Sequence, residues 1–192
     1  MFMDKCVVIC TGELWEIPVI ALQSSILSIT NLNRAKVQAD SVQDLCTKVV
    51  NNSKNLNGKF NKLIVFGHGL YLDEAGKDPN DCKKLGIYIG KERIVQDKAD
   101  VPNLAANHEV KDMSDVAGEF SKLSNALSDD AVVVMAHCWL GSLRALHKSL
   151  AKAIDRPVIA GTGQSSIFGG NNGSVIQISP NGSLLCLSKM TF

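Results

Sequence analysis

Two short apolar runs, each followed at once by a residue that can carry chemistry, constrain this chain more than any other feature. Residues 62–66 (KLIVF) lead into the tripeptide GHG, with His68 at its centre, and residues 131–136 (AVVVMA) lead into Cys138 one residue later. Short runs rich in β-branched residues are typical of strands buried on both faces of a sheet. The sequence therefore predicts two buried strands whose carboxyl ends carry His68 and Cys138.

Further apolar runs alternate with helical patterns along the chain, which predicts an α/β domain with a mainly parallel sheet. One domain spanning residues 1–192 suits this length. The segment 86–95 (GIYIGKERIV) predicts a hairpin off the main sheet or at its edge, and residues 15–30 fit a helix or strands equally well. The other predicted strands are 5–10, 36–39, 157–160 and Gly-rich segments through Ile176 and Leu185, and the predicted helices are 41–56, 113–127 and 142–154.

Composition excludes several classes of protein. The chain is 45% hydrophobic and 20% charged with a net charge of +1, which is ordinary for a globular domain and excludes a disordered chain. Near-neutrality without a Lys/Arg cluster gives little electrostatic footprint for nucleic acid or an anionic membrane, so neither is expected as a partner. No apolar run approaches the length of a membrane span. The N-terminus lacks the pattern of a cleaved signal peptide. Six cysteines without a CxxC pair predict mostly reduced thiols in a cytoplasmic setting.

The two strand ends together predict nucleophilic chemistry. Ligands bind beyond the carboxyl ends of strands in open parallel sheets, because there the chain leaves the sheet in loops backed by helix N-termini. A thiol just before a helix is activated by the helix dipole, and a nearby imidazole can take its proton. The sequence thus makes Cys138 a candidate nucleophile and His68 its base, and the backbone N–H groups of Gly69 and Cys138 can converge on an oxyanion.

Simpler roles stand beside these. Cys138 can equally be an inert core thiol and His68 a loop residue between two turn glycines. His137 is expected to pack or cap, since neighbours on a strand point to opposite faces, and His147 is expected to be a surface or interhelix residue. No compact set of metal ligands occurs, so no metal and no cofactor are expected. Four cysteines fall in apolar patterns typical of core residues (Cys6, Cys10, Cys46 and Cys186), whereas Cys82 lies in an exposed loop and is the other candidate for alkylation.

The order of these blocks resembles that of the caspase-like, clan CD cysteine peptidases. In that clan a hydrophobic block precedes His-Gly and a later one precedes Cys, which corresponds here to KLIVFGHG and AVVVMAHC. The continuation CWLGS, a helix and then DRPVIAGTG at residues 155–163 is closest in pattern to the self-processing toxin and effector peptidase domains. The resemblance runs from about Lys62 to the C-terminus. It implies a three-layer α/β sandwich with a mainly parallel central sheet and a C-terminal β-rich tail.

The resemblance also implies roles for individual residues. Cys138 would be the nucleophile, His68 the general base and acid, and Gly69 with the Cys138 amide the oxyanion hole. His137 and Trp139, which depart from the pattern of many relatives, and Thr162 would lie near the substrate cleft.

The function implied is that of a cysteine endopeptidase acting on a polypeptide substrate without a cofactor, in the cytoplasm or as a secreted effector without a cleavable signal peptide. Its activator, whether a small molecule or a protein, is not indicated. The alternative is a catalytically inactive domain of the same fold that binds a protein or a small effector in the former cleft, because a large aromatic side chain at Trp139 could fill that groove.

Overall fold

The computed structural model describes residues 5–10, 33–72, 75–78, 80–101, 109–164 and 172–188. The segment 15–30, which the sequence left open, lies outside these ranges, as do Asp73, Glu74 and His108. In chain order the elements are β1 (Lys5–Cys10), β2 (Asn33–Ala39), α1 (Val42–Asn55), β3 (Phe60–Phe66), β4 (Gly69–Tyr71), β5 (Lys84–Ile89), β6 (Glu92–Val95), β7 (Glu109–Lys111), α2 (Met113–Ser121), β8 (Leu127–Ala136), α3 (Arg144–Ile154), β9 (Val158–Gly161), β10 (Val175–Ile178) and β11 (Leu184–Leu187).

The strands form two sheets. Seven of them form a large sheet in the order β11-β10-β9-β8-β3-β1-β2, and four form a small sheet in the order β4-β5-β6-β7. The five strands β9, β8, β3, β1 and β2 of the large sheet run parallel, while β10 is antiparallel to both of its neighbours, β9 and β11. The small sheet joins β4, β5 and β6 antiparallel and β7 parallel to β6. The chain is thus an α/β protein, as predicted. Both sheets are mixed, however, so the prediction of a mainly parallel sheet is wrong.

The three helices of the described ranges pack on one face of the large sheet. In register, Leu63 of β3 pairs with Val133 of β8, which pairs with Val158 of β9, and all three are buried in the same apolar cluster as the helices. This cluster takes from the helices the side chains that their periodicity marked as apolar: Val42, Leu45, Val49, Val116, Phe120, Leu146, Leu150 and Ile154. The alternate positions of the strands, including Ile64 and Val134, form a second cluster on the opposite face. Central strands buried on both faces explain the continuous apolar runs.

Local signals set the helix ends. Ser41 caps α1, since its hydroxyl accepts from the Asp44 N–H at 3.0 Å. Asp112 and Asp115 form a capping box at the start of α2. That helix ends at Ser121 and continues as a 3₁₀ turn (Lys122–Asn125), so it is shorter than the predicted 113–127, and Leu127 already belongs to β8. Among the helices that the structure describes, none combines the length and the apolar character needed to cross a membrane.

The predicted hairpin is confirmed as β5 and β6 of the small sheet, outside the main sheet. Its turn uses Gly90 with a φ of +61°, which favours glycine. Glu92 then fastens the hairpin to α1, because one of its carboxylate oxygens accepts from the Val42 N–H at 2.7 Å. The other oxygen pairs with the Lys111 Nζ of β7 at 2.6 Å, within the small sheet. The small sheet is thereby held against the start of α1.

Candidate active site

The two strand ends singled out by sequence lie side by side. β3 and β8 are neighbouring parallel strands, and Phe66 pairs with Ala136 at their last register position. His68 and Cys138 each follow this pair by two residues, so their backbones leave the sheet one strand spacing apart, about 4.8 Å. The His68 side chain is exposed and Cys138 is partly exposed. The structure therefore brings His68 and Cys138 to the same edge of the sheet, with both residues at least partly accessible.

Gly69 makes direct contact with Cys138. A Cβ at Gly69 would overlap the carbonyl oxygen of Cys138 and lie 3.0 Å from its Cβ. The backbone of Gly69 does not adopt a positive φ, so space and not conformation requires glycine here. The Gly of the His-Gly pair thus permits the close approach of the two loops.

The amide of Gly69 points away from the small sheet. The His68 carbonyl accepts from the Tyr88 N–H at 2.8 Å, so it is directed at β5. In a trans peptide the carbonyl and the following N–H point in opposite directions, and the described chain contains no cis peptide bond. The Gly69 N–H is therefore directed away from β5, at the outer edge of β4, as an oxyanion donor requires.

The residue after the candidate nucleophile adopts a strained backbone conformation. Trp139 has a φ of +59°, in the left-handed region that side chains other than glycine rarely occupy. Its N–H donates to the Gly163 carbonyl at 2.8 Å, so the Cys138 carbonyl of the same peptide points the opposite way, toward Gly69. Such strain persists where the surroundings impose it and clusters at active sites. Cys138 thus lies on a sharp turn. The peptide between Cys138 and Trp139 contacts the Gly163 loop through its N–H and the Gly69 loop through its carbonyl.

The end of β9 forms the other wall of this turn. A Cβ at Gly141 would lie 2.8 Å from the Gly161 carbonyl carbon, and the Ser142 hydroxyl donates to the Thr162 carbonyl at 2.9 Å. Thr162, which sequence placed near the cleft, is partly exposed, and its N–H donates to the Ser174 carbonyl at 2.8 Å. The Gly and Ser of the CWLGS segment therefore dock the turn on β9.

The Trp139 side chain packs into the small sheet. Its ring meets Tyr71 edge-on at a centroid distance of 5.3 Å, and Lys84 Nζ lies 4.3 Å from the ring centroid. The indole N–H donates to Asn80 Oδ1 at 3.2 Å, and only 6% of the residue is exposed. Trp139 thus joins the Cys138 turn to β4 and β5.

His137 lies beneath the site, with an exposure of 0%. Its Nε2 is 3.1 Å from the Tyr88 carbonyl, and a Cβ at Gly67 would overlap the ring. Burial, with a smaller effect of the nearby His68 charge, lowers the pKa of His137 from 6.5 to about 3, although the hydrogen bond to Tyr88 opposes the shift. The burial of His137 agrees with its predicted packing role. It also places the ring beneath the surface of the site, whereas the sequence had placed His137 near the candidate substrate cleft as well.

Two of the other cysteines, Cys82 and Cys186, differ from the accessibility that the sequence predicted for them. Burial raises the pKa of Cys6 and of Cys46 to about 12, as fits the predicted core residues. Cys82, expected in an exposed loop, is buried, with its Sγ 3.4 Å from the Asp78 carbonyl. Cys186, expected in the core, is exposed on the edge strand β11. Among the cysteines whose side chains the structure describes, which leave out Cys10, the accessible competitor of Cys138 in an alkylation experiment is therefore Cys186.

The predicted junction between Cys138 and a helix is wrong. A 3₁₀ turn (Leu140–Ser142) follows Trp139, and α3 begins only at Arg144. Because the helix dipole acts within about one turn of the terminus, α3 is too distant for the activation inferred from sequence.

Sequence reasoning missed the residues that join the site to the small sheet, Tyr71, Asn80, Lys84 and Tyr88. Gly67 was the available signal, because a glycine on each side of His68 indicates close neighbours on both sides.

Among the described residues, no three His, Cys, Asp or Glu side chains are grouped as a metal ion would require. The chain matches no protein-family model, no curated protein and no solved structure.

Proposed function

We propose that the chain is a cysteine endopeptidase that uses Cys138 and His68 as a dyad. The observation that carries the proposal is the contact between Gly69 and Cys138 at the carboxyl ends of paired strands, with the Gly69 N–H turned away from β5. A nucleophile, a base and an oxyanion donor on adjacent loops are the components that acyl transfer needs.

In the proposed reaction the thiol proton of Cys138 passes to His68, and the thiolate attacks the carbonyl carbon of a peptide bond. The N–H groups of Gly69 and Cys138 hold the resulting oxyanion. The C–N bond then breaks as His68 returns the proton to the leaving amine, which leaves a thioester on Cys138. His68 next takes a proton from water, the hydroxide attacks the thioester, and the acid product departs while the proton returns to the thiolate.

The proposal extends to the caspase-like three-layer arrangement. Helices α1, α2 and α3 supply one outer layer, and the apolar face that includes Ile64 and Val134 is the face that a second outer layer would cover.

Digestion of a mixture of protein-derived peptides, with cleavage sites read by mass spectrometry, tests the activity. We expect cleavage by the wild type and by Cys186→Ser, the matched change at the exposed thiol outside the site. Cys138→Ala and His68→Ala should lose activity by at least about 10³-fold. Equal cleavage by wild type and Cys138→Ala would contradict the proposal.

Alkylation across pH gives a second measurement. With Cys186→Ser as background and the modified residue located by mass spectrometry, Cys138 should react with iodoacetamide well below pH 8, and His68→Ala should remove this reactivity. The alternative, a binding domain of the same fold without catalysis, predicts no cleavage and the same alkylation profile with and without His68.

A further inference from the structure

Two of the histidines that the structure describes are fully buried, and one of these two contacts residues of the site. His137 and His147 both have 0% exposure, and each ring places Nε2 beside a backbone carbonyl. His147 bonds Val158 at the start of β9, far along the strand from the site, at 2.8 Å. His137 bonds Tyr88 at 3.1 Å, directly behind His68.

The His137 ring has one orientation and one tautomer in this contact. A carbonyl only accepts hydrogen bonds, so the neutral ring must carry its hydrogen on Nε2 to bond Tyr88. Gly67 leaves the space that the ring fills, because a Cβ there would lie 2.9 Å from Cδ2 and overlap Nε2. The ring is thus enclosed between the end of β3 and β5.

The bond to Tyr88 reaches the site through one more hydrogen bond. Tyr88 uses its carbonyl for His137 and its N–H for the His68 carbonyl, at 2.8 Å. The direction of the His68 carbonyl also fixes the opposite direction of the Gly69 N–H, since both belong to one planar peptide. A shift of Tyr88 therefore moves the base and the oxyanion donor together.

We infer that His137 is a positioning residue, which holds the His68–Gly69 peptide through Tyr88. This inference rests on the proposed function, because it assigns His137 a task in the same site. The hydrogen bond that Nε2 donates, and not the volume of the ring alone, positions this peptide.

Matched substitutions at the two histidines separate positioning from packing. Gln offers an amide donor that can reach the same carbonyl, whereas Leu fills space without a donor. With iodoacetamide as the probe at pH 7, we expect His137→Leu to slow alkylation of Cys138 by about tenfold or more, since small displacements at a site cost up to about 10²-fold. His137→Gln should recover most of the rate. His147→Leu and His147→Gln should leave the rate within about twofold of wild type, whatever their effect on the unfolding midpoint.

Two results overturn the inference: an equal rate in His137→Leu and His147→Leu, or a folded His137→Gln that is as slow as the Leu variant. Should His137→Leu fail to fold, Gly67→Ala replaces it, because the added Cβ would disturb both partners of the bond: it would overlap the His137 ring and lie 2.8 Å from the Tyr88 carbonyl oxygen. The same loss of rate is then expected, and an unchanged rate contradicts the inference.

A readout that does not depend on catalysis keeps the two proposals apart. The ring signals of His68, assigned in labelled protein by comparison with His68→Ala, report its position directly. If His68→Ala leaves the alkylation rate of Cys138 unchanged, the proposed dyad is wrong. In that case shifted His68 signals in His137→Leu that return in His137→Gln still support positioning, and unchanged signals refute it.

Discussion

Gly69 and Cys138 meet backbone to backbone, so closely that a Cβ on Gly69 would overlap the Cys138 carbonyl oxygen. This contact is made by two loops that leave paired strands at the same edge. It makes position 69 intolerant of any side chain, for a reason that lies outside the loop itself.

Gly69→Ala is expected to destabilise the fold by about 1–3 kcal/mol, since the new methyl group would meet backbone atoms that cannot rotate away. It should also slow alkylation of Cys138. Gly118→Ala is the matched control, because it lies exposed within α2 and a Cβ there meets no atom within 4 Å. That change should stabilise by about 0.5–1 kcal/mol. Urea unfolding measures both, and equal effects of the two changes would contradict the packing argument.

Trp139→Ala should cost about 3–5 kcal/mol, because it removes a buried aromatic ring that packs the Cys138 turn against the small sheet. Lys84→Met removes the ammonium over the ring and should cost about 1 kcal/mol. Both are measured by urea unfolding followed by circular dichroism. A Trp139→Ala loss no larger than that of Lys84→Met would show that the ring does not join the turn to the small sheet.

Arg156 should be sensitive to a change that keeps its charge. Its Nε donates to the Ser128 carbonyl and its Nη1 to the Asp155 carbonyl, each at 2.6 Å, and the side chain is buried. Lysine lacks this fork of donors, so Arg156→Lys should cost about 2–4 kcal/mol. Asp129, which pairs with Arg156 at 3.0 Å, has a side chain that is 99% exposed, so Asp129→Asn should cost less than about 0.5 kcal/mol. Equal losses on denaturant unfolding would mean that the ion pair, and not the backbone bonds, stabilises this corner.

Acid should unfold the protein partly through His147. Burial lowers the pKa of this ring to about 4, whereas the unfolded chain binds the proton near 6.5. Between these values the unfolded state binds more protons, so the free energy of unfolding falls as the pH drops from 6.5 to 4, by about 3 kcal/mol from this group. His147→Gln should flatten that part of the pH profile relative to wild type, while His137 continues to titrate toward its pKa of about 3. Parallel profiles of the two proteins would refute the assignment.

The strands that carry the site were predictable because their pattern is local. An apolar run that ends in His-Gly or Ala-x-Cys carries its own boundaries, and β3 and β8 lie where these runs placed them. Accessibility was less predictable, since Cys186 lies in an apolar run (LLCL) that looks buried. Only the sheet order reveals that this strand is an edge.

The small sheet was predictable only in part for a similar reason. Its hairpin has a clear turn at Gly90, but β7 is three residues long and two of them are charged, so no period marks it as a strand. The contacts of Trp139 with Tyr71 and Lys84 join segments far apart in the chain, so no local spacing of residues predicts them.

Several contacts that shape the site join residues far apart in the chain: Gly69 to Cys138, Tyr88 to His137 and Trp139 to Gly163. Contacts with such long closing loops form late in folding. A nascent chain still on the ribosome therefore carries His68 well before the thiol turn can dock beside it. In the proposed reaction the thiol therefore has its base and its oxyanion donor only once the large sheet has closed across β3, β8 and β9, so a partly made chain is expected to lack peptidase activity.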